Sequence, residues 1–97
     1  MHQVIVTATI EARTGKESEL RHLLTSLVSP TRREPGCLNY DLHVATESPA
    51  LFLFHETWTT KEALDTHLQS AHLQAVLPRA TELCANPPQI KLWEGIA

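Results

Sequence analysis

The sequence predicts an α+β fold on the ferredoxin-like plan β-α-β-β-α-β, with one antiparallel sheet covered by helices on one face. Three observations predict it. Residues 3 to 11, Q-V-I-V-T-A-T-I-E, alternate with the period of two that a strand requires. Leu20, Leu23, Leu24, Leu27 and Val28 then recur at i, i+3, i+4, i+7 and i+8, the spacing of one apolar helix stripe. Cys37 to Trp58 holds two more period-two runs about a turn-rich T-E-S-P, and helical and strand-like stretches follow. That order is the split βαβ arrangement.

Each element has its own warrant. In the first strand Val4, Val6, Ala8 and Ile10 share a face, and Ile5, Thr7 and Thr9 share the other. Thr14-Gly15 ends it. The first helix spans Lys16 to Arg33, with Glu17 and Glu19 near its start and Arg32 and Arg33 near its end, as the helix dipole favours. Pro30 is expected to break or kink its last turn, and Glu34-Pro35-Gly36 is a stop signal. In the hairpin, Leu38, Tyr40, Leu42 and Val44 share one face of the first run. Phe52, Phe54, Glu56 and Trp58 share one face of the second. Thr59-x-x-Glu62 has capping-box spacing and opens a second helix lined by Ala63, Leu64, His67 and Leu68. Ser70 is placed to cap a third helical piece, Ala71 to Cys84, with Leu73, Val76, Leu77, Ala80 and Leu83 inward and a kink or restart at Pro78. Gln89 to Glu94 reads as the last strand.

Composition narrows the partners. The 97 residues make one domain, 1–97, small but able to bury a core. Hydrophobic residues at 42% and charged residues at 20% describe a globular chain rather than a disordered one. A net charge of −3 offers no basic footprint for nucleic acid. No apolar run approaches the ~20 residues of a membrane helix, and the start has no signal-peptide pattern, so the expected location is the cytoplasm. Cys37 and Cys84 are then expected as free thiols. Helices on one side leave a mixed opposite face of Ile5, Thr7, Thr9, Leu51, Leu53 and Trp93, with Asn39, Asp41, His43 and His55. Such a face suits sheet-to-sheet contact with a second copy, so a homodimer is expected.

The candidate chemistry lies on the helix-facing side. Tyr40 and Glu56 are polar intruders in apolar stripes, and a carboxylate among aromatics is costly unless paired. With Trp58 they face helices that carry His67 and His72, over a lining of Phe52, Phe54, Leu38 and Leu42. An apolar pocket with a few polar groups is the usual small-molecule site, and imidazole is its natural proton acceptor. Each residue also has a plainer role. Glu56 reads as a scaffold carboxylate bonded to a helix N-terminus or a histidine. Tyr40 is a satisfied core phenol or a substrate donor. Trp58 is core or pocket wall. His67 is a core or pocket imidazole, and His72 a cap, a surface group or a pocket group. His2 and His22 read as surface groups. Metal binding is not expected, because His67 and His72 are five apart rather than an i, i+4 pair on one helix face. No glycine-rich phosphate loop exists.

The stretches E-P-G-C-L-N-Y (34 to 40), F-H-E-T-W (54 to 58) and T-T-K-E-A-L-D-T-H-L-Q-S-A-H (59 to 72) resemble the antibiotic biosynthesis monooxygenase family of dimeric α/β barrels. The resemblance spans nearly the whole chain, and its signature is the combination G-C-x-x-Y, E-x-W and H-x-x-S-x-H. Similar members include quinol and anthrone-type monooxygenases, haem-degrading enzymes and an isomerase of a phosphorylated autoinducer sugar. The monooxygenase members use neither flavin nor metal, so no cofactor is expected. The resemblance implies that a base deprotonates an electron-rich phenol or quinol. The anion passes an electron to O₂, and recombination gives a peroxide that loses water. His67 or His72 would be the base, Tyr40 would orient the substrate oxygen, and Trp58, Glu56, Phe52, Phe54 and Leu42 would surround it. The haem branch uses an Asn, a Trp and a His where this chain has Ala8, His67 and Leu77. A phosphosugar isomerase should need cations, and the third helix offers Arg79. A non-catalytic small-molecule binding or stress-associated module on the same scaffold is the alternative from another class.

Overall fold

A computed structural model describes residues 3–97; His2, expected at the surface, lies outside them. The elements run β1 (Val4–Glu11), α1 (Glu17–Ser26), α2 (Val28–Arg32), β2 (Cys37–Ala45), β3 (Ser48–Trp58), α3 (Lys61–Leu68), α4 (Ala71–Leu83) and β4 (Gln89–Trp93). The strands form one antiparallel sheet in the order β2-β3-β1-β4. This is the expected ferredoxin-like plan, with β1 paired to both β3 and β4. Val6, Ala8 and Ile10 of β1, Phe52 and Phe54 of β3, and Leu20, Leu24 and Leu27 of the first helical segment bury the predicted faces together. No helix among the described residues is long and apolar enough to cross a membrane.

Local chemistry moves several expected features. The single helix over 16–33 is two. At Leu27 the amide bonds to Leu24 O, three residues back, and α2 restarts from there. Proline clashes with the carbonyl four residues before it, so the break falls ahead of Pro30, which then sits in the first turn of α2, where a missing N–H is harmless. The cap of α3 is Thr60, not Thr59: Thr60 Oγ1 accepts from Ala63 N at 3.1 Å. Ser70 caps α4 as expected, accepting from Leu73 N. There is no restart at Pro78. α4 runs through it unbroken, with Pro78 on the exposed side, where water can reach the carbonyl that loses its partner. Leu77 shares that exposed side rather than facing inward.

The hairpin is tighter than expected. Only Thr46 and Glu47 form the turn, and Pro49 lies within β3, beyond the last residue that β1 pairs. Leu38 is the main correction on this element. The β2–β3 register slips between Cys37 and Asn39, so Leu38 is the extra residue of a bulge and is 51% exposed instead of facing the core. Tyr40 keeps its inward place.

Gly36 positions the functional elements. Its φ is +85°, and a Cβ there would lie 2.6 Å from Ala63 Cβ and 2.8 Å from Thr59 Oγ1. Its carbonyl accepts from Thr59 N at 2.8 Å. Only glycine allows this positive φ and this close approach, and it ties the start of β2 to the start of α3. The segment just before it, carrying Glu34, is thereby brought beneath His67 of α3.

Candidate functional site

The helix-facing side of β2 and β3 presents Tyr40, Glu56 and Trp58 through the period-two pattern, and α3 lays His67 over them. His67 stacks on Trp58, with ring centroids 4.8 Å apart and planes 30° apart, and meets Tyr40 edge-on at 5.4 Å. Tyr40 packs on Phe54 at 4.7 Å. The structure thus brings together Tyr40, Trp58, Phe54 and His67, as the sequence predicts. It also closes them in. Tyr40, Trp58 and His67 are 2%, 0% and 3% exposed.

Glu34 organises the site, and sequence reasoning missed it. Its Oε2 lies 2.7 Å from His67 Nδ1 and 2.9 Å from His72 Nε2. A carboxylate offers only lone pairs, so each imidazole must present an N–H to it. The inferred tautomer of neutral His67 therefore carries its proton on Nδ1 and leaves Nε2 free to accept one. This is how a carboxylate prepares a histidine base. His72, 25% exposed in side chain, shares the carboxylate and also lies 3.2 Å from the hydroxyl of fully buried Thr31. It is neither a surface group nor a simple cap. The only sequence signal for Glu34 was the E-P-G stop, which reads as a helix end and says nothing of what the carboxylate meets.

The spacing argument about metal does not apply to these histidines. His67 and His72 sit on different helices, so their spacing in sequence is irrelevant. Their donor nitrogens and a Glu34 oxygen lie within 4.8 Å of one another. A divalent cation could enter there by displacing the protons that now bridge the three groups.

Glu56 is confirmed as a misfit but with another partner. It bonds neither a helix N-terminus nor a histidine; its Oε1 accepts from Trp58 Nε1 at 2.9 Å. Burial raises its pKa above the ordinary carboxylate range, against the lowering effect of that hydrogen bond and of His67. A carboxylate that holds its proton more tightly when folded adds stability below its unfolded pKa, and that stability is lost as pH rises through the raised value. Glu56→Gln keeps the acceptor and removes the buried charge. It is expected to raise the melting temperature at pH 8 and to show a smaller advantage near pH 4; a larger gain at pH 4 would contradict this. Tyr40 is shifted further. Burial, reinforced by Glu56, pushes its phenol far up, so it remains a neutral donor across the working pH range.

One open space lies next to this cluster. A cleft of about 250 Å³ separates α1 and α2 from the β2 edge. Its lining includes Leu42, Val44, Phe52 and Val28. Of the expected binding residues, Leu42 and Phe52 line this cleft, while Phe54, Glu56 and Trp58 belong to the closed cluster. Leu42 pairs with Phe54 across the hairpin, and Tyr40 is two residues along the same face, a step of about 7 Å. The cation that a phosphosugar would need is already engaged: Arg79 bonds Glu19 at 2.7 and 3.0 Å and Glu82 at 3.2 Å. Cys37 and Cys84 are both free.

Comparison with known proteins agrees with this architecture. Residues 3–79 match the family model described as antibiotic biosynthesis monooxygenase. The uncharacterised protein sll1783 of Synechocystis is 30% identical over 91 residues, 94% of this chain; the chain spans 62% of that protein's length. Rv0793 of Mycobacterium tuberculosis, which carries a provisional monooxygenase name, is 37% identical over 84 residues, 87% of this chain and 82% of the relative. The crystal structure of PA3566 from Pseudomonas aeruginosa superimposes with a TM-score of 0.92 at 32% identity, covering 100% of this chain and 97% of that one. On this match, its extent and the shared fold, the chain belongs to the antibiotic biosynthesis monooxygenase family.

Proposed function

We propose that the protein oxidises a quinol, phenol or anthrone-like aromatic with O₂, using its own side chains and neither flavin nor metal. The observation that carries this is the Glu34–His67 pair set in an aromatic cage beside an apolar cleft. An aromatic ring lies on Leu42 and Phe52 with its oxygen toward Tyr40. For turnover the cage opens by side-chain movement, so that Nε2 of His67, a residue 3% exposed as the cage stands, takes the phenolic or benzylic proton and Glu34 stabilises the imidazolium that results. The neutral Tyr40 hydroxyl donates to the substrate oxygen. The carbanion or phenolate passes one electron to O₂, and the radical pair forms a C–O bond. The peroxide then loses water, so one oxygen atom stays on the ring and the other leaves as H₂O. Burial of the cage keeps bulk water from the anion. Oxygen-electrode traces with chemically reduced menadione and with anthrone, in chelator-treated buffer, test this. Uptake above the uncatalysed rate is expected. Saturable binding of both without uptake would instead support the non-catalytic binding module.

The assembly we propose is a homodimer built through the open side of the sheet. Leu53 and Trp93 are exposed there, on the face they share with Ile5, Thr7 and Thr9, while Ile90 and Leu92, paired with Ala8 and Val6, leave the helix-facing side of the β4 edge uncovered as well. Light scattering should return twice the 10.9 kDa chain mass; a monomer mass would refute the pairing.

A further inference from the structure

We infer that the cleft beside α1 and α2 selects an anionic aromatic, a small ring system bearing a carboxylate, over neutral aromatics. The inference takes this cleft as the substrate site of the proposed oxygenase and names the class of molecule that fits it. Its floor is apolar, built from Val28, Leu42, Val44 and Phe52. The formal charges in its lining are both positive, Arg21 of α1 and Arg32 of α2, and no carboxylate lines it; Thr25 and His43 complete the wall. In a chain with eight basic and eleven acidic residues, this is a local reversal of the overall charge.

The two cations are held differently. Arg32 is oriented: its Nε donates to Tyr40 O at 3.1 Å and its Nη2 to Asp41 Oδ1 at 2.9 Å. Asp41 is itself occupied, since Asn39 Nδ2 also donates to it at 3.1 Å. The guanidinium has five N–H donors, so these two bonds leave donors to spare for a ligand. The Arg21 side chain has no hydrogen-bond or ion-pair partner among the described residues, so it can turn to an incoming carboxylate without breaking a bond. A planar, forked donor matches a carboxylate in geometry as well as charge.

Size supports the same class. At about 250 Å³ the cleft is below the usual range for drug-sized ligands, so it fits a compact system of up to about three fused rings rather than a larger polycycle. A ring stacked on Leu42 and Phe52 with its carboxylate toward Arg21 turns its other edge toward Arg32, which bonds the Tyr40 carbonyl. The carboxylate would therefore fix which ring position faces the Glu34–His67 pair.

The test is equilibrium binding by calorimetry of 1-hydroxy-2-naphthoate and of 1-naphthol, which lacks the carboxylate, at low salt. Exposed ion pairs are weak, so the wild-type protein should prefer the acid by about 5-fold, and by at least about threefold. Arg21→Gln, an exposed change that removes no contact, should bring the ratio below about threefold, as should raising the salt to about 0.5 M. Equal affinity for the two compounds, no binding of either, or a preference unchanged in Arg21→Gln would overturn the inference. Binding is read without turnover, so the outcomes separate. A preserved preference with no oxygen uptake sinks the oxygenase alone. Oxygen uptake with equal binding of acid and neutral ring sinks the anion selectivity alone.

Discussion

His67→Ala should lower quinol-dependent oxygen uptake by about 10²- to 10⁴-fold, the usual range for losing a general base. The loss should fall on kcat, because the ring-binding cleft is lined by other residues. Glu34→Gln should cost about 10²-fold or more, since its amide can offer an N–H where His67 Nδ1 needs an acceptor and so favour the wrong tautomer. His72→Ala removes only a second donor to the same carboxylate and should cost less than about tenfold. The ordering of the three is the informative result. If His72→Ala is the most severe, the base is His72. If all three turn over like wild type, the imidazole-carboxylate cluster is only structural. Urea midpoints on the same preparations separate lost chemistry from lost folding, which matters because His67 is buried.

Trp58→Ala should bring the protein close to unfolding. Truncating a fully buried tryptophan costs about 3–5 kcal/mol, against a total stability of about 5–15 kcal/mol for a domain of this size. It also strips His67 of its stacking surface and Glu56 of its donor. Trp58→Phe divides these effects. It keeps most of the packing and removes the indole N–H, so about 1–3 kcal/mol should be lost through the orphaned Glu56 carboxylate. Adding Glu56→Leu to Trp58→Phe removes the unpaired acceptor and should recover part of that loss. Urea unfolding followed by circular dichroism measures all three. A Trp58→Phe midpoint equal to wild type would mean that the Glu56 bond contributes nothing.

The residues that were legible and those that were not differ in kind. Phe52, Phe54, Glu56 and Trp58 could be placed on one face because strand alternation is a local property of the backbone. Tyr40 could be placed for the same reason, and the bulge that turned Leu38 outward came two residues too early to move it. Thr60 was missed by one position, because Thr59 and Thr60 have equal capping chemistry and only the path of the chain past Gly36 decides between them. At Pro78 the restart did not occur: the helix stays continuous, with the proline on its exposed side, where the freed carbonyl can reach water.

What the sequence by itself determined is the order and type of the elements, the buried stripe of each, and a histidine-bearing helix above Tyr40 and Trp58. These follow from short-range periodicity and from residue types acting within a few positions of one another. Only the tertiary structure decided that Glu34 is the partner of both histidines, 33 and 38 positions away, and that the cage around His67 is buried while a cleft lies against Arg21 and Arg32. Those features depend on which side chains meet when the α2–β2 turn packs under α3 and α4. No local pattern records such a meeting, because each participant satisfies its own neighbourhood equally well without the others.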